Sequence, residues 1–531
     1  MTMDTLKFMP PTVLRTPDEA AAWLQAAQAS RLQTDSRYVQ AHEAFIAWPG
    51  AAHDARKYVR EALQAGAAAC LVEAQGAEAF DFMQADALPA GQMQRLALYQ
   101  GLRQDTGEIA AAFYGRPSQA LDVIAVTGTN GKTSTTWWLA QALAKAHPAG
   151  AGLVGTLGVG CVTGGKATVK PTGLTTPDPV VLQHYLRQWA ERGVKTCAME
   201  ASSIGIAEHR LAGVQLHTAV FTNFTQDHLD YHGSMQAYWQ AKRRLFAWPG
   251  LRAAVINIDD PQGLALAAEL QGSAQRDDLD ALHIWTLSSQ VDAAQPARLQ
   301  VTRVQHGAEG LAFTVQEQGG DSVHMQTRLI GQYNINNMLG VLACLRQRGI
   351  SLQQAADWCA DLQPVPGRMQ CVQQAGQPMV VVDYAHTPDA LDKALAALQP
   401  LVQARGGKLW CVFGCGGDRD PGKRPLMGAA AARWADVPFI TSDNPRSEDP
   451  AAIIEQIRAG VPPDAAAQLR VCEDRAAAIA QTVADAATSD VILIAGKGHE
   501  DYQEIQGVKR PFSDMEQAQA ALAQRMQGGK A

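Results

Sequence analysis

Short apolar runs alternate with helix-patterned stretches along this chain, and almost every run is followed at once by a cluster rich in glycine, aspartate or asparagine. In the middle of the chain the runs are 123–127, 196–199, 218–222 and 254–258; the last third repeats the scheme at 380–383, 409–413, 438–441 and 491–495. A strand covered on both faces needs such an unbroken run, and helices alternating with strands supply the cover for a parallel sheet. The fold class is therefore α/β, with a Rossmann-like, doubly wound last third. In open sheets of this kind ligands bind beyond the carboxyl ends of the strands. The clusters 128–133, 200–203, 223–230, 414–420, 443–446 and 496–500 all fall there.

Two proline-marked joints, Tyr114-Gly115-Arg116-Pro117-Ser118 and Gln363-Pro364-Val365-Pro366-Gly367, divide the chain into domains 1–119, 120–363 and 364–531. The first reads as mixed α/β. From 299 to 329 the second changes to period two, broken at His306-Gly307 and Gly319-Gly320, which is the pattern of a small antiparallel meander. With 45 Lys and Arg against 52 Asp and Glu, and no basic block, nothing points to nucleic acid or an anionic membrane surface. No apolar run approaches the roughly 18 residues of a membrane span. The first twenty residues carry acidic side chains and three prolines where a signal peptide needs an apolar stretch. Nine scattered cysteines without a CxxC pair read as reduced thiols. The expectation is a cytoplasmic monomer that acts on small molecules.

Thr127-Gly128-Thr129-Asn130-Gly131-Lys132-Thr133-Ser134 follows a strand-like run and opens a helix expected from 135. Glycines let backbone N–H groups face phosphate oxygens, Lys132 reaches the terminal phosphates, and the Thr133 hydroxyl suits Mg²⁺. Residues 128–134 are thus candidates for ATP, although Val126 stands where the full phosphate-loop pattern has its first glycine. Glu200 ends a run in Ala198-Met199-Glu200-Ala201-Ser202-Ser203 and offers a hard oxygen for magnesium. In the last third, Gly414-Cys415-Gly416-Gly417-Asp418-Arg419-Asp420, Ser442-Asp443-Asn444-Pro445-Arg446 and Gly496-Lys497-Gly498-His499-Glu500 combine arginines, carboxylates and open backbone. That set suits a zwitterionic amino acid, because arginine forks take carboxylates and Glu500 takes an ammonium.

The short loop Gly128-Thr129-Asn130-Gly131-Lys132-Thr133 resembles the ATP loop of the Mur ligases and of the related folylpolyglutamate synthases, and the other clusters resemble the Mur ligases over nearly the whole chain. The resemblance implies three domains: a UDP-sugar-binding N-terminal domain, a P-loop ATPase-like centre and an amino-acid-binding C-terminal domain. It also implies that Lys132, Glu200, His228 and Lys242 are catalytic, with Thr133, Glu200, His228 and a carbamylated Lys242 serving two magnesium ions. Asn334 and Asn337, in Gly331-Gln332-Tyr333-Asn334-Ile335-Asn336-Asn337, match the adenine-contacting segment.

The Asp443-Asn444-Pro445-Arg446 string resembles the diaminopimelate-adding branch of that family. By position Arg419, Asp443, Asn444, Pro445, Arg446, Gly496 and Glu500 would form the diaminopimelate pocket. Ser36, Thr175, Thr176, Ser202, Glu208 and Arg210 match contacts to a UDP-muramoyl dipeptide. Leu174, Ile204 and Glu208 stand where Asn, His and Gln are common. The activity implied is ATP-dependent amide-bond formation through an acyl phosphate, in peptidoglycan precursor synthesis. The same ligation with lysine, a folylpolyglutamate synthase-like ligation, and a P-loop ATPase that does not ligate are the alternatives.

Overall fold

The computed structural model describes residues 11–50, 53–83, 88, 89, 92–273, 282–293, 295–307 and 310–528. The chain forms two compact units, 1–287 with 343–349 and 288–342 with 350–531.

The first unit holds two sheets. Strands β1 (Thr12–Leu14), β2 (Leu32–Gln33), β3 (Ala44–Ala47), β4 (Ala69–Glu73) and β5 (Leu96–Tyr99) are all parallel, in the order β1-β5-β4-β3-β2. Every residue of β3 and β4 is buried, with Leu24 and Ile109 packed in one core and Val59 and Leu63 in another. These strands are two to five residues long, too short to impose a clear period on the sequence.

The second sheet of this unit contains β6 (Asp122–Thr127), β7 (Ala151–Gly155), β8 (Gly158–Thr163), β9 (Lys166–Lys170), β10 (Thr196–Glu200), β11 (Thr218–Phe221), β12 (Ala253–Asn257) and β13 (His283–Ser288). Their order is β13-β12-β11-β6-β10-β7-β8-β9. The four apolar runs expected here are β6, β10, β11 and β12, within a residue at each end. The sequence pattern missed the antiparallel run β7-β8-β9. Glycines replace the β-branched residues that mark a strand, and β9 alternates exposed and half-buried residues with a lysine at each end, as an edge strand does. The helix after β6 spans Lys132–Ala144 and is buried nearly all round, including Trp137 and Trp138.

In the second unit β14 (Leu299–Gly307), β15 (Gly310–Glu317) and β16 (Ser322–Thr327) form the expected antiparallel meander, with alternate residues of β15 buried. Strands β17 (Gln370–Val372), β18 (Met379–Asp383), β19 (Leu409–Phe413), β20 (Val437–Ile440), β21 (Arg470–Val471) and β22 (Val491–Ala495) follow in the order β17-β18-β22-β19-β20-β21, parallel except for β17. Leu391, Leu395, Met427, Ile454 and Ile457 cover one face, and Ile479, Val483 and Leu522 the other. Helices therefore wind on both sides, as the alternation predicts. A ribbon of β23 (Tyr502–Ile505) and β24 (Val508–Pro511) precedes the last helix, Asp514–Gly528. Among the described residues no helix is long and apolar enough to cross a membrane, and all nine cysteines are free.

Candidate active site

The loop after β6 is shaped by what surrounds it. At Gly128 (φ +148°) a Cβ would lie 1.9 Å from Thr222 Oγ1, so only glycine lets the chain pass. Thr222 Oγ1 donates to Asn130 O at 2.6 Å and Asn223 Oδ1 accepts from Asn130 N at 2.8 Å, so the end of β11 braces the turn. The helix begins at Lys132, three residues before the pattern placed it, so Lys132, Thr133 and Ser134 all lie in its first turn. The N–H groups of a helix's first turn point out of its N-terminal end, a ready anion site. Lys132 Nζ folds back onto Gly128 O (2.9 Å) and Thr129 O (2.8 Å).

Lys242 comes from the helix Met235–Arg243 and is 1% exposed. Its Nζ donates to Gly128 O at 2.6 Å and lies 4.5 Å from the centre of the Tyr238 ring. Burial first, and the Lys132 charge second, hold its pKa well below the usual lysine value, with Asp227 opposing them. Tyr238 OH meets Thr129 Oγ1 at 3.2 Å, and the His228 ring lies 6.1 Å from that of Tyr238. His228 sits in the left-handed region (φ 50°) before the helix Leu229–His232, with Nε2 3.5 Å from Asp227 Oδ2.

Glu200, at the end of β10, is 1% exposed. Its carboxylate accepts from Thr133 Oγ1 (3.1 Å), Thr156 N (2.8 Å) and Thr156 Oγ1 (3.3 Å). A Cβ on Gly155 would come within 2.2 Å of Glu200 Oε1. Thr156 Oγ1 also meets Thr175 Oγ1 at 3.1 Å. The chain then runs through Thr176, whose hydroxyl donates to Glu200 O (2.9 Å) and meets Ser202 Oγ (3.1 Å). Arg210 Nη1 donates to Thr176 O (3.0 Å) and its Nη2 lies 3.4 Å from Glu208 Oε2. Glu208 also accepts from Tyr231 OH and Arg103, each at 3.0 Å. Burial works to raise its carboxyl, but Tyr231, Arg103 and Arg210 outweigh burial and leave it below the ordinary carboxylate value. Ser36 opens a short turn capped by Asp35, and the preceding Thr34 hydrogen-bonds the Asp178 carboxyl just beyond Thr176. The phosphate loop, Glu200 and the 175–210 residues are thus one connected polar network.

The second unit carries the rest. Asn444 Nδ2 donates to Glu500 Oε2 at 2.9 Å, while Lys497, fully buried, reaches Asn444 Oδ1 (3.1 Å) and Glu500 Oε2 (2.9 Å). Asp443 is buried beside Gly496, where a Cβ would lie 2.6 Å from Asp443 Oδ2. Pro445 leads to Arg446 (φ 52°), whose Nη1 donates to Gly417 O at 2.7 Å and whose Nε lies 3.9 Å from Glu504 Oε2. Arg419, on the loop carrying Gly417, is exposed. Buried Arg424 steadies that loop, pairing with both Glu448 oxygens (2.8 and 2.9 Å) and with Gly416 O (3.2 Å). Asn334 and Asn337 are buried and joined by Asn337 Nδ2 to Asn334 Oδ1 (2.9 Å), with Asn334 Nδ2 on Ile330 O (2.8 Å). Among the described residues no three His, Cys, Asp or Glu side chains gather closely enough to hold a metal by themselves.

Thr156 and Lys497 were missed as site residues. Thr156 follows β7 directly, so the rule of a cluster after an apolar run would have found it had the glycine-rich β7 been read as a strand. Lys497 lies inside a motif already singled out, but nothing in the string distinguishes a buried lysine from a solvated one.

Comparison with known proteins adds a second line of evidence. The family model described as Mur ligase middle domain matches residues 126–345, and that described as Mur ligase, glutamate ligase domain matches 367–498. The chain is 56% identical to the UDP-N-acetylmuramoyl-L-alanyl-D-glutamate–2,6-diaminopimelate ligase of an Acidovorax species, covering 96% of this chain and 98% of that one. It is 44% identical to the protein of the same name from Pseudomonas aeruginosa, covering 93% and 94%. A solved structure of a ligase of that name superposes with a TM-score of 0.66 at 34% identity, covering 93% and 95% of the two chains. A Mycobacterium tuberculosis folylpolyglutamate synthase shares the fold at 20% identity, TM-score 0.55, over 73% of this chain and 91% of its own.

Proposed function

The chain belongs to the Mur ligase family, and on that premise we propose that it adds meso-2,6-diaminopimelate to the D-glutamate γ-carboxylate of UDP-N-acetylmuramoyl-L-alanyl-D-glutamate at the expense of ATP. The observation that carries the choice of amino acid is the Asn444–Glu500 hydrogen bond. It joins the Asp443-Asn444-Pro445-Arg446 string to the Gly496–Glu500 segment in one polar pocket. Arg446 and Arg419 supply cations for carboxylates, and Asp443 and Glu500 supply anions for ammonium groups. The relatives named as diaminopimelate ligases support the same assignment.

The γ-phosphoryl group of ATP passes to the γ-carboxylate, giving an acyl phosphate and ADP. The free amine attacks that carbonyl, loses a proton, and the tetrahedral adduct collapses to amide and phosphate. Lys132 exchanges its two carbonyl partners for phosphate oxygens and neutralises charge as the phosphoryl group moves. The N–H groups of 131–134 hold the remaining oxygens. Asn334 and Asn337 are assigned to adenine. Ser36, Thr175, Thr176, Ser202, Glu208 and Arg210 are assigned to the nucleotide-sugar peptide, whose reacting carboxylate then lies on the network that ends at Glu200.

The donor set fits magnesium: the Thr133 hydroxyl and Glu200 carboxylate are hard oxygens already in contact, and phosphate oxygens complete what two side chains begin. Glu200 and His228 are assigned to a second ion, together with Lys242 as a carbamate. Burial first and Lys132 second lower its pKa and so favour the uncharged amine, the form that adds CO₂ and releases a proton. Bound there, the ions neutralise charge on the transferring group.

Domains 1–119, 120–363 and 364–531 are assigned to nucleotide-sugar, ATP and amino acid. Each has its own sheet, β1–β5, β6–β13 and β17–β22. The setting is the cytoplasm, and the working form a monomer. The test incubates the protein with ATP, Mg²⁺ and the UDP-muramoyl dipeptide, adds amino acids singly and weighs the product. A diaminopimelate adduct is expected. A lysine adduct, or phosphate release without any amino acid, overturns the reading.

A further inference from the structure

The loops 442–446 and 495–500 carry most of the proposed amino-acid pocket, yet they leave β20 and β22, which are separated by β19. Their spacing is held from behind by one side chain. Arg475 is 0% exposed; its Nη2 donates to Ala495 O at 2.9 Å and its Nη1 to Ser442 O at 3.3 Å. Its Nε and Nη2 also pair with the equally buried Asp514 carboxylate, both at 2.7 Å. Arg475 opens the helix Arg475–Asp485, where a cation opposes the helix dipole, and Asp514 opens Asp514–Gly528, where an anion is favoured.

A desolvated ion pair is a poor way merely to join two helices, since apolar residues of similar volume hold them as well or better. What a guanidinium adds is a rigid fork that ties two carbonyls at a set separation. The residues after those carbonyls are Asp443 and Gly496, which face each other so closely that only glycine fits.

We propose that the Arg475–Asp514 pair is a positioning device for the amino-acid pocket: by tying Ser442 O and Ala495 O together it fixes Asp443 against Gly496, and with them the two loops that hold the head of the incoming amino acid. Electrostatics point the same way. Burial disfavours the Arg475 charge, and Asp514, Asp443 and Glu500 together outweigh it, so the cation also compensates both carboxylates of the pocket. The role rests on the pocket assignment made under the proposed function.

Steady-state kinetics of the full chain, with each of the three substrates varied in turn, test it. Arg475→Lys keeps a charge but loses the fork; Asp514→Asn keeps the shape but loses the anion that orients it. In both, KM for diaminopimelate should rise about tenfold or more while KM for ATP and for the nucleotide-sugar stay within about twofold, because a pocket loosened by even 1 Å binds and orients poorly. A fall in kcat with all three KM values unchanged, or a parallel rise in all three, overturns the proposal. Should Arg475→Lys fail to fold, Asp514→Asn alone decides. If the wild type ligates a different amino acid, the substrate assignment fails, and the same KM comparison is made with that amino acid: a selective rise upholds the positioning role and no rise overturns it.

Discussion

Lys132 and Lys242 donate to the same oxygen, the Gly128 carbonyl, at 2.9 and 2.6 Å. One lysine opens a helix at the phosphate loop and the other arrives from a helix more than a hundred residues later. Two ammonium groups on one carbonyl repel, and the more buried of the two is the one whose charge is suppressed.

Lys242 should therefore be a stability cost and an activity requirement. Its pKa is lowered on folding, so the unfolded chain binds the extra proton. The cost is complete below the depressed value and disappears as pH rises through the ordinary lysine value of 10.5. Lys242→Met should melt at or above the wild-type temperature at pH 7, with the gain vanishing above pH 10.5, and should form product at least about 100-fold more slowly. Thermal melts across pH, beside the product assay, check both halves. In ¹³C-bicarbonate the wild type should show a carbamate resonance absent from the variant.

Lys132→Ala should fold, because one of the two carbonyls it leaves, Gly128 O, still accepts from Lys242 Nζ. It should lose about 10²–10³ in kcat, the usual loss for one donor aimed at developing charge, roughly 3–4 kcal/mol. Single-turnover phosphate release measures it. A near wild-type rate would remove the phosphate-loop role.

Gly155→Ala probes the support of Glu200 without replacing any proposed ligand. The added methyl would lie 2.2 Å from Glu200 Oε1 and must push the carboxylate off its Thr133 and Thr156 partners. The magnesium concentration for half-maximal rate should rise about 10–100-fold, the range seen when a ligand's support is lost. An unchanged magnesium titration would detach Glu200 from the metal.

What the sequence revealed, and what it hid, divides by range. The phosphate loop, β6, β10 and β19–β20 with their clusters are contiguous strings whose chemistry depends on backbone shape, so they can be read in one pass. Thr156 on Glu200, Lys497 on Asn444 and Arg475 on Asp514 join residues 44, 53 and 39 positions apart. Such contacts exist only once the sheet order is known. The β7-β8-β9 hairpins were hidden because glycine had replaced the strand-marking residues.

Arg446 is expected to set amino-acid choice. Its Nη1 is already anchored on Gly417 O, and the strained backbone at φ 52° is held by Arg446 N on Glu504 O (3.0 Å) and Gln506 N on Arg446 O (2.6 Å). The guanidinium is thus aimed before any substrate arrives, with Nη2 left to meet a carboxylate. Diaminopimelate presents a second carboxylate there and lysine does not. Binding lysine would leave the fork without its partner, but the side chain is 23% exposed and Glu504 lies 3.9 Å from Nε, so water and that anion soften the penalty. Breaking such a charged contact typically costs about 2–5 kcal/mol, which puts the preference for diaminopimelate at about 30-fold or more. Arg446→Ala should raise KM for diaminopimelate by a similar factor and leave the slow use of lysine nearly unchanged, narrowing the ratio from the diaminopimelate side. Competition between the two amino acids, read by product mass, measures that ratio directly. A proportional loss of both would assign selection to Arg419 or Glu500 instead.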